Sequence, residues 1–309
     1  MAHEYANLLS KYDNKGELGA PEFFDTDEES DSKIKTMAEW IQLAKCVLVI
    51  TGAGISTSAG IADFRGPKGI WTLEKEEKSL EDVDEFLGSF EDARPTLTHD
   101  ALRILEQNGK IAYLISQNVD GLHSRYGFPL DRLSEIHGNV FQKRCNRCNR
   151  VEFNTVPLKS VGRNMIGEKC LSIPKPRNRC TGDFCDFLLD WDDELPEPDY
   201  SRALKVASSV DLVICLGTSL QIEPIGSLPL KCKKKNAKIV TVNLQKTRIE
   251  KKVDLPIHRR VDEVMCQLLN LLDLPINRST NVNIVQNSSS KLISDTPKKR
   301  KRVSNMDNI

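Results

Sequence analysis

Uninterrupted β-type runs, apolar for the most part, recur along the chain at Cys46 to Ile50, Ile111 to Ile115, Leu212 to Leu216 and Lys238 to Val242. Runs of this length that do not alternate with polar residues fit strands buried on both faces, as in a parallel sheet covered by helices. Helical periodicity lies between and around them. A helix is expected from about Thr36 to Lys45, where Thr36 and Glu39 have capping-box spacing and Met37, Trp40, Ile41 and Ala44 share a face. A second is expected over His99 to Asn108, starting after Thr98 and stopping at Gly109, with Ala101, Leu102 and Leu105 inward. A third, about Val261 to Leu272, closes the ordered part. Strands alternating with helices predict an α/β fold built on a doubly wound, mostly parallel sheet.

The pattern breaks between Phe141 and Tyr200, where charges, prolines and cysteines dominate and no long helical period appears. That stretch reads as a small inserted domain. The expected organisation is an N-terminal arm over 1–35, a main domain from 36–140 and 201–272, an insert over 141–200, and a disordered basic tail over 273–309.

At 309 residues and 39% hydrophobic content, the chain can bury a substantial core. It has no uncharged apolar run of membrane-spanning length and no apolar N-terminal leader, so a soluble, intracellular protein without membrane contact is expected. The zero formal net charge conceals an uneven distribution: Asp25 to Asp31 holds five acids in seven residues, and Lys298 to Arg302 is an unbroken basic run. Ser, Asn and Lys crowd the sequence from Asn277 onward, a composition that does not fold alone. The run Pro297 to Val303 resembles a nuclear import signal, which implies an import receptor as partner and the nucleus as location.

Nine cysteines without a secretory leader point to thiols and metal ligation, not a disulfide framework. Cys145 and Cys148 form a Cys-x-x-Cys knuckle, and Cys170 and Cys180 follow within the same insert. Four thiolates can close a tetrahedral zinc site, which would staple an insert poor in apolar residues. Cys185 is a rival for the fourth place, and spacing does not choose between it and Cys180. All-thiolate ligation leaves no open coordination position, so one structural zinc ion is expected. Cys46, Cys215, Cys232 and Cys266 read as core.

The chemistry concentrates just after the strands. Ile50 to Thr57, reading ITGAGIST, places glycines where a strand turns into a helix and backbone N–H groups can meet a phosphate. Ser116 to His123, SQNVDGLH, sets amide and carboxylate groups at the carboxyl end of another strand, where open parallel sheets bind ligands. A dehydrogenase fingerprint fails at its third glycine, because Thr57 stands there. Ala62 to Gly66 then supplies a carboxylate, an aromatic face and a guanidinium: Arg65 suits phosphate or orientation work, while Phe64 and Trp71 can cover a ribose or pyridinium ring.

GAGIST, ADFRG, SQNVDGLH, Ile136 to Asn139, the four cysteines, Gly217 to Leu220 and Val242 to Gln245 together resemble the sirtuin family, in that family's order, from about residue 36 to 272. Trp71 to Leu73 and Leu189 to Asp193 further resemble its nuclear class IV branch. The resemblance implies a Rossmann-like sheet with a zinc-binding insert. It also implies NAD-dependent removal of acyl groups from protein lysines, histone tails and nucleosomes foremost, yielding nicotinamide and O-acyl-ADP-ribose. By the same resemblance His137 is the general base that deprotonates a ribose hydroxyl. Asn118 and Asp120 hold the nicotinamide carboxamide, supported by Gln117 and Asp63. Further NAD contacts are implied at Ala53 and Thr57 beside the diphosphate, at Gly217, Ser219, Asn243 and Gln245 after the later strands, and at Val261 near the adenine. Val119, Asp190 and Trp191 are implied walls of an acyl-lysine channel. Ala62 replaces the family's usual proline, which predicts a freer loop. Protein mono-ADP-ribosylation, or a catalytically weak NAD-sensing chromatin module, are the alternative expectations.

Overall fold

In the computed structural model, residues 2–78, 88–171 and 179–276 are described. The strands are β1 (Val47–Thr51), β2 (Tyr113–Ser116), β3 (Leu133–Glu135), β4 (Gly138–Cys145), β5 (Val151–Phe153), β6 (Met165–Lys169), β7 (Asp183–Leu188), β8 (Leu212–Leu216), β9 (Lys238–Val242) and β10 (Leu255–Ile257). The helices are α1 (Ala2–Leu8), α2 (Asp27–Leu43), α3 (Ile70–Lys75), α4 (Leu97–Gln107), α5 (Leu122–Arg125), α6 (Asp199–Ala207), α7 (Leu228–Lys233) and α8 (Val261–Leu271).

Six strands form a parallel sheet in the order β10-β9-β8-β1-β2-β3, with Val49 opposite Leu114 on one side and Ile214 on the other. The four apolar runs are its central strands. Their side chains divide between two layers by the strand period of two. Val47, Val49, Leu114, Leu212, Ile214 and Val240 join a core with residues of α2, α4 and α8. Leu48, Ile50, Ile115, Val213, Cys215 and Ile239 face the other way, toward residues of α6 and α7. The edge strands β3 and β10 have only three residues each, too short to stand out as periodic runs.

The chain lays down β1, β2 and β3 in one direction, then returns to the other side of β1 for β8, β9 and β10. At such a reversal the loops leaving neighbouring strands diverge and open a crevice at their carboxyl ends.

Helix α2 begins at Asp27, nine residues before the expected start. Thr26 is its cap: its hydroxyl accepts from Glu29 N while the Glu29 carboxylate accepts from Thr26 N. Thr36 instead bonds back to Ser32 O inside the helix. Three of the acids in the expected N-terminal arm, Asp27, Glu28 and Glu29, are thus the first helical turn, where negative charge is favoured. Helix α4 likewise starts earlier than Thr98, capped by Thr96 with His99 completing the box.

Strands β5-β4-β7-β6 make a separate antiparallel sheet that begins at Gly138, three residues before the expected insert, where β4 pairs with Leu188 of β7. Its own apolar cluster comprises little beyond Phe184, Ile166 and four cysteines. The N-terminal segment returns to the main sheet, with Phe23 N bonded to Leu244 O and Asp25 N to His258 O. Residues 277–309, with the basic run Lys298 to Arg302, lie outside the described residues.

Candidate functional site

A cleft of about 250 Å³ opens at the carboxyl ends of β1, β2, β8 and β9, where the strand order reverses. After β1 the chain turns through Gly52 and Gly54. A side-chain carbon on Gly52 would lie 2.7 Å from Gly217 O, and one on Gly54 would lie 2.9 Å from Gly217 Cα. The glycines therefore let two loops touch backbone to backbone. Their N–H groups bond to Leu216 O and Gly217 O, so the loop pairing accounts for donors that the sequence suggested for phosphate.

Of the residues named above, Ala53, Asp63, Phe64, Arg65, Trp71, Gln117, Asn118, His137, Gly217, Ser219, Asn243 and Gln245 line the cleft, as do Val119, Asp190 and Trp191. Thr57, Asp120 and Val261 do not line it. Thr57 donates its hydroxyl to Gly54 O within its own turn, and Val261 starts α8 with its side chain in the core. Asp120 stands behind the wall, accepting from Ser56 Oγ at 2.8 Å and Leu122 N at 2.9 Å. Ser56 Oγ also meets Asn118 Nδ2 at 3.3 Å, so Asp120 acts on the cleft through that serine.

The amides are firmly set. Gln117 Nε2 donates to Thr51 O and Thr218 Oγ1, and Asn118 Nδ2 donates to Gly52 O. The Gln117 carbonyl lies 3.0 Å from His137 Nδ1. A carbonyl oxygen only accepts, so Nδ1 carries the proton and Nε2 holds the lone pair. Nε2 is buried without a partner among the described residues, the state of an atom awaiting a ligand proton. Burial and the Arg65 charge lower this imidazole to about 4, below the ordinary value expected from sequence. It is neutral at pH 7 and able to accept.

The loop after Ala62 is braced despite the missing proline. Asp63 Oδ1 accepts from Gly66 N at 2.7 Å, while Ile70 N and Trp71 N bond to the carbonyls of Asp63 and Phe64. Burial raises the Asp63 carboxyl and lowers Arg65 to about 10, which leaves the guanidinium charged at neutral pH. Arg65 lies 4.6 Å above the Trp71 ring and donates to Lys15 O. Aromatic rings continue from Phe64 through Trp71 to Trp191, on which Tyr12 stacks at 4.5 Å.

Sequence reasoning passed over Tyr5 and Leu9, which reach the cleft from the N-terminal segment, and Gln221, Ile222, Glu223 and Pro224, which follow Leu220. Position gave a signal for the second group, since these residues continue the loop after β8. Tyr5 and Leu9 have helical i,i+4 spacing, but nothing local says what that stripe covers.

In the small sheet the sulfurs of Cys145, Cys148, Cys170 and Cys180 lie within 4.8 Å of one another. The Cys145–Cys180 and Cys148–Cys170 separations are 3.7 and 3.6 Å. Zinc–sulfur bonds of ~2.3 Å in a tetrahedron require sulfurs ~3.8 Å apart, so the four residues fit one zinc ion. Cys185, on β7, is outside the cluster, and the rivalry for fourth place resolves to Cys180.

The Sir2 family model matches residues 52–224. The NAD-dependent protein deacetylase Sirt6 of Drosophila melanogaster is 44% identical over 278 residues, covering 89% of this chain and 86% of the relative. The deacetylase sir-2.4 of Caenorhabditis elegans is 37% identical over 281 residues, covering 90% and 94%. Among solved structures, a Sir2 complex with p53 peptide and NAD+ aligns at TM-score 0.56 and 27% identity, over 77% of this chain and 97% of that one.

Proposed function

This chain belongs to the Sir2 family, and we propose that it is an NAD-dependent protein-lysine deacylase whose general base is His137. The observation that carries the reading is the lone, buried Nε2 of His137, oriented by the Gln117 carbonyl and placed in the same cleft as the Asn118 amide. Bound NAD would supply a ribose carbon bearing a pyridinium leaving group that departs readily. The chain's residues bind, orient and enclose. Asn118, held by Gly52 O and Ser56, and Asp120 behind it shape the nicotinamide end. Arg65 offers positive charge toward phosphate, and Phe64 and Trp71 present ring faces that exclude water. His137 accepts a ribose hydroxyl proton at Nε2. Trp191, whose ring lies 5.3 Å from that of Trp71, and Val119 receive the acyl-lysine.

Ala53, Gly217, Ser219, Asn243 and Gln245 are the proposed contacts for the rest of the dinucleotide, all from loops at strand ends. Cys145, Cys148, Cys170 and Cys180, none of which lines the cleft, would hold zinc as a structural staple. The basic run Lys298 to Arg302 supports nuclear import and nuclear substrates, histone tails first among them.

The test is a mass-spectrometric product assay of the metallated protein with NAD and an acetylated histone peptide. Nicotinamide, free lysine and O-acetyl-ADP-ribose are expected. His137→Ala is expected to lower kcat by about a hundredfold or more while retaining NAD binding. ADP-ribose transferred to protein without deacylation would favour the mono-ADP-ribosyltransferase reading, and intact NAD would overturn both.

A further inference from the structure

Glu135, the last residue of β3, is a buried acid that lines no part of the cleft. Its Oε1 lies 2.9 Å from Ser124 Oγ and its Oε2 accepts from Asn139 Nδ2 at 2.8 Å. Asn139 also donates to Ser124 Oγ, and its own carbonyl accepts from Phe141 N. Glu135 and Asn139 flank His137 in the chain, while Ser124 lies on α5, which directly follows the loop bearing Gln117 and Asn118. Asn139 presses on that loop as well: a side-chain carbon on Gly121 would fall 2.7 Å from its Oδ1.

We propose that Glu135 is a positioning residue for the reaction, a carboxyl staple joining the loop that carries His137 to the loop that carries Gln117 and Asn118. The proposal rests on His137 being the base.

The network has two complete hydrogen-bond arrangements. With the carboxyl ionised, Ser124 Oγ donates to Glu135 and leaves the Gly121 carbonyl, 3.2 Å away, without that proton. With the carboxyl protonated, Glu135 donates to Ser124, and the serine proton turns to Gly121 O, a second donor beside Arg125 N on the turn below Asp120. Asp120 and Asp199 are the charged groups that disfavour ionisation; Arg125 lies near Asp120, and Arg144 and Arg202 pair with Asp199. His123, beside Ser124 on α5, is kept neutral by burial. Burial, more than these acids, pushes the Glu135 carboxyl up to about 7.

The experiment compares wild type, Glu135→Gln and Glu135→Asp. Nitrogen-15 NMR reads the His137 tautomer, steady-state assays separate kcat from KM across pH 6–9, and thermal melts report folding. Gln reproduces the protonated arrangement, donating to Ser124 and accepting from Asn139, so it should preserve the Nδ1–H tautomer and rescue kcat. The ratio of wild-type to Gln-variant kcat should then fall as pH rises through about 7. Asp is one methylene short of bridging both partners; it should mix the tautomers and lower kcat between about tenfold and a hundredfold, with KM for NAD little changed. Should Asp unfold the protein, Ser124→Ala, which removes the bridging hydroxyl, is read for the same mixing of tautomers and loss of kcat. An Asp or Ser124→Ala variant that changes melting temperature with the His137 tautomer and kcat untouched overturns the proposal. Wild type that leaves NAD intact would overturn the functional reading instead, and the His137 tautomer would still test the staple.

Discussion

His99 and His123 meet in the interior with ring centroids 4.6 Å apart, and burial holds both imidazoles neutral, His99 down to about 3. Each has a clear structural task. His99 Nδ1 takes the Thr96 N–H and completes the cap of α4, while His123 meets Thr51 Oγ1 at 3.3 Å. His99, His123 and His137 are thus alike in charge, and of the three only His137 presents its free nitrogen to the cleft. Composition does not make that distinction. Unfolded, the His99 ring titrates near 6.5; folded, only near 3, so between those values the unfolded chain carries the extra proton. Stability should consequently fall as pH drops below 6.5. Gln can also serve at the third position of a capping box, so His99→Gln should fold and lack this pH dependence. Relative to that variant, wild type should lose about 1.4 kcal/mol per pH unit through this window, measured by urea melts, with a constant difference above it.

The element that carries His137 is held by backbone geometry. Gly138 has φ +98°, and a side-chain carbon there would sit 1.9 Å from Phe187 O, inside the β4–β7 pairing at Leu188. Gly138→Ala must break that pairing or move the His137 loop. We expect a loss of about 3 kcal/mol or more, read by denaturant melts. Helix α2 offers a milder case: Thr26→Ala removes a capping hydroxyl and should cost about 1 kcal/mol, with the cleft and turnover unaffected. This element also shows where local pattern misleads. Thr36 and Glu39 have the same spacing as Thr26 and Glu29, but Thr36 lies where the helix has already packed Ile34 into the core. Capping chemistry is read from three residues; which candidate is used depends on how much of the preceding chain finds something to pack against.

At the scale of the molecule, the cleft is shared between the main sheet and the segment that returns from the small one. Leu189, Asp190, Trp191 and Leu195 leave the end of β7 and form one wall. Ser10 bonds to Asp190 and Tyr12 stacks on Trp191, so the N-terminal segment is tied to that wall. The small sheet has few apolar residues of its own, and four thiols at zinc-like spacing stand at the centre of its cluster. Chelation should therefore lower the melting temperature of the whole protein and quench turnover together, through displacement of the Trp191 wall. Restoration of both by added zinc, followed by differential scanning fluorimetry and product assay, is the expected outcome. A melting temperature indifferent to chelator would show that the small sheet supports itself.

The central strands, the layers of helices and the glycine loops were legible because each depends on burial or chirality acting within a few residues: apolar runs seek the interior, and glycine is needed where chains touch. The cysteine motif likewise named its candidates, since a Cys-x-x-Cys knuckle with further thiols in the same short insert is the spacing of a zinc site. The choice of Cys180 over Cys185, the retreat of Thr57, Asp120 and Val261 from the cleft, and the arrival of Tyr5, Leu9 and Glu223 in it were not legible. Each turns on which way a side chain faces after segments far apart in sequence have packed, and that direction is set by contacts no local pattern contains. The protonation of His137 belongs with them, because desolvation is a property of everything around a group.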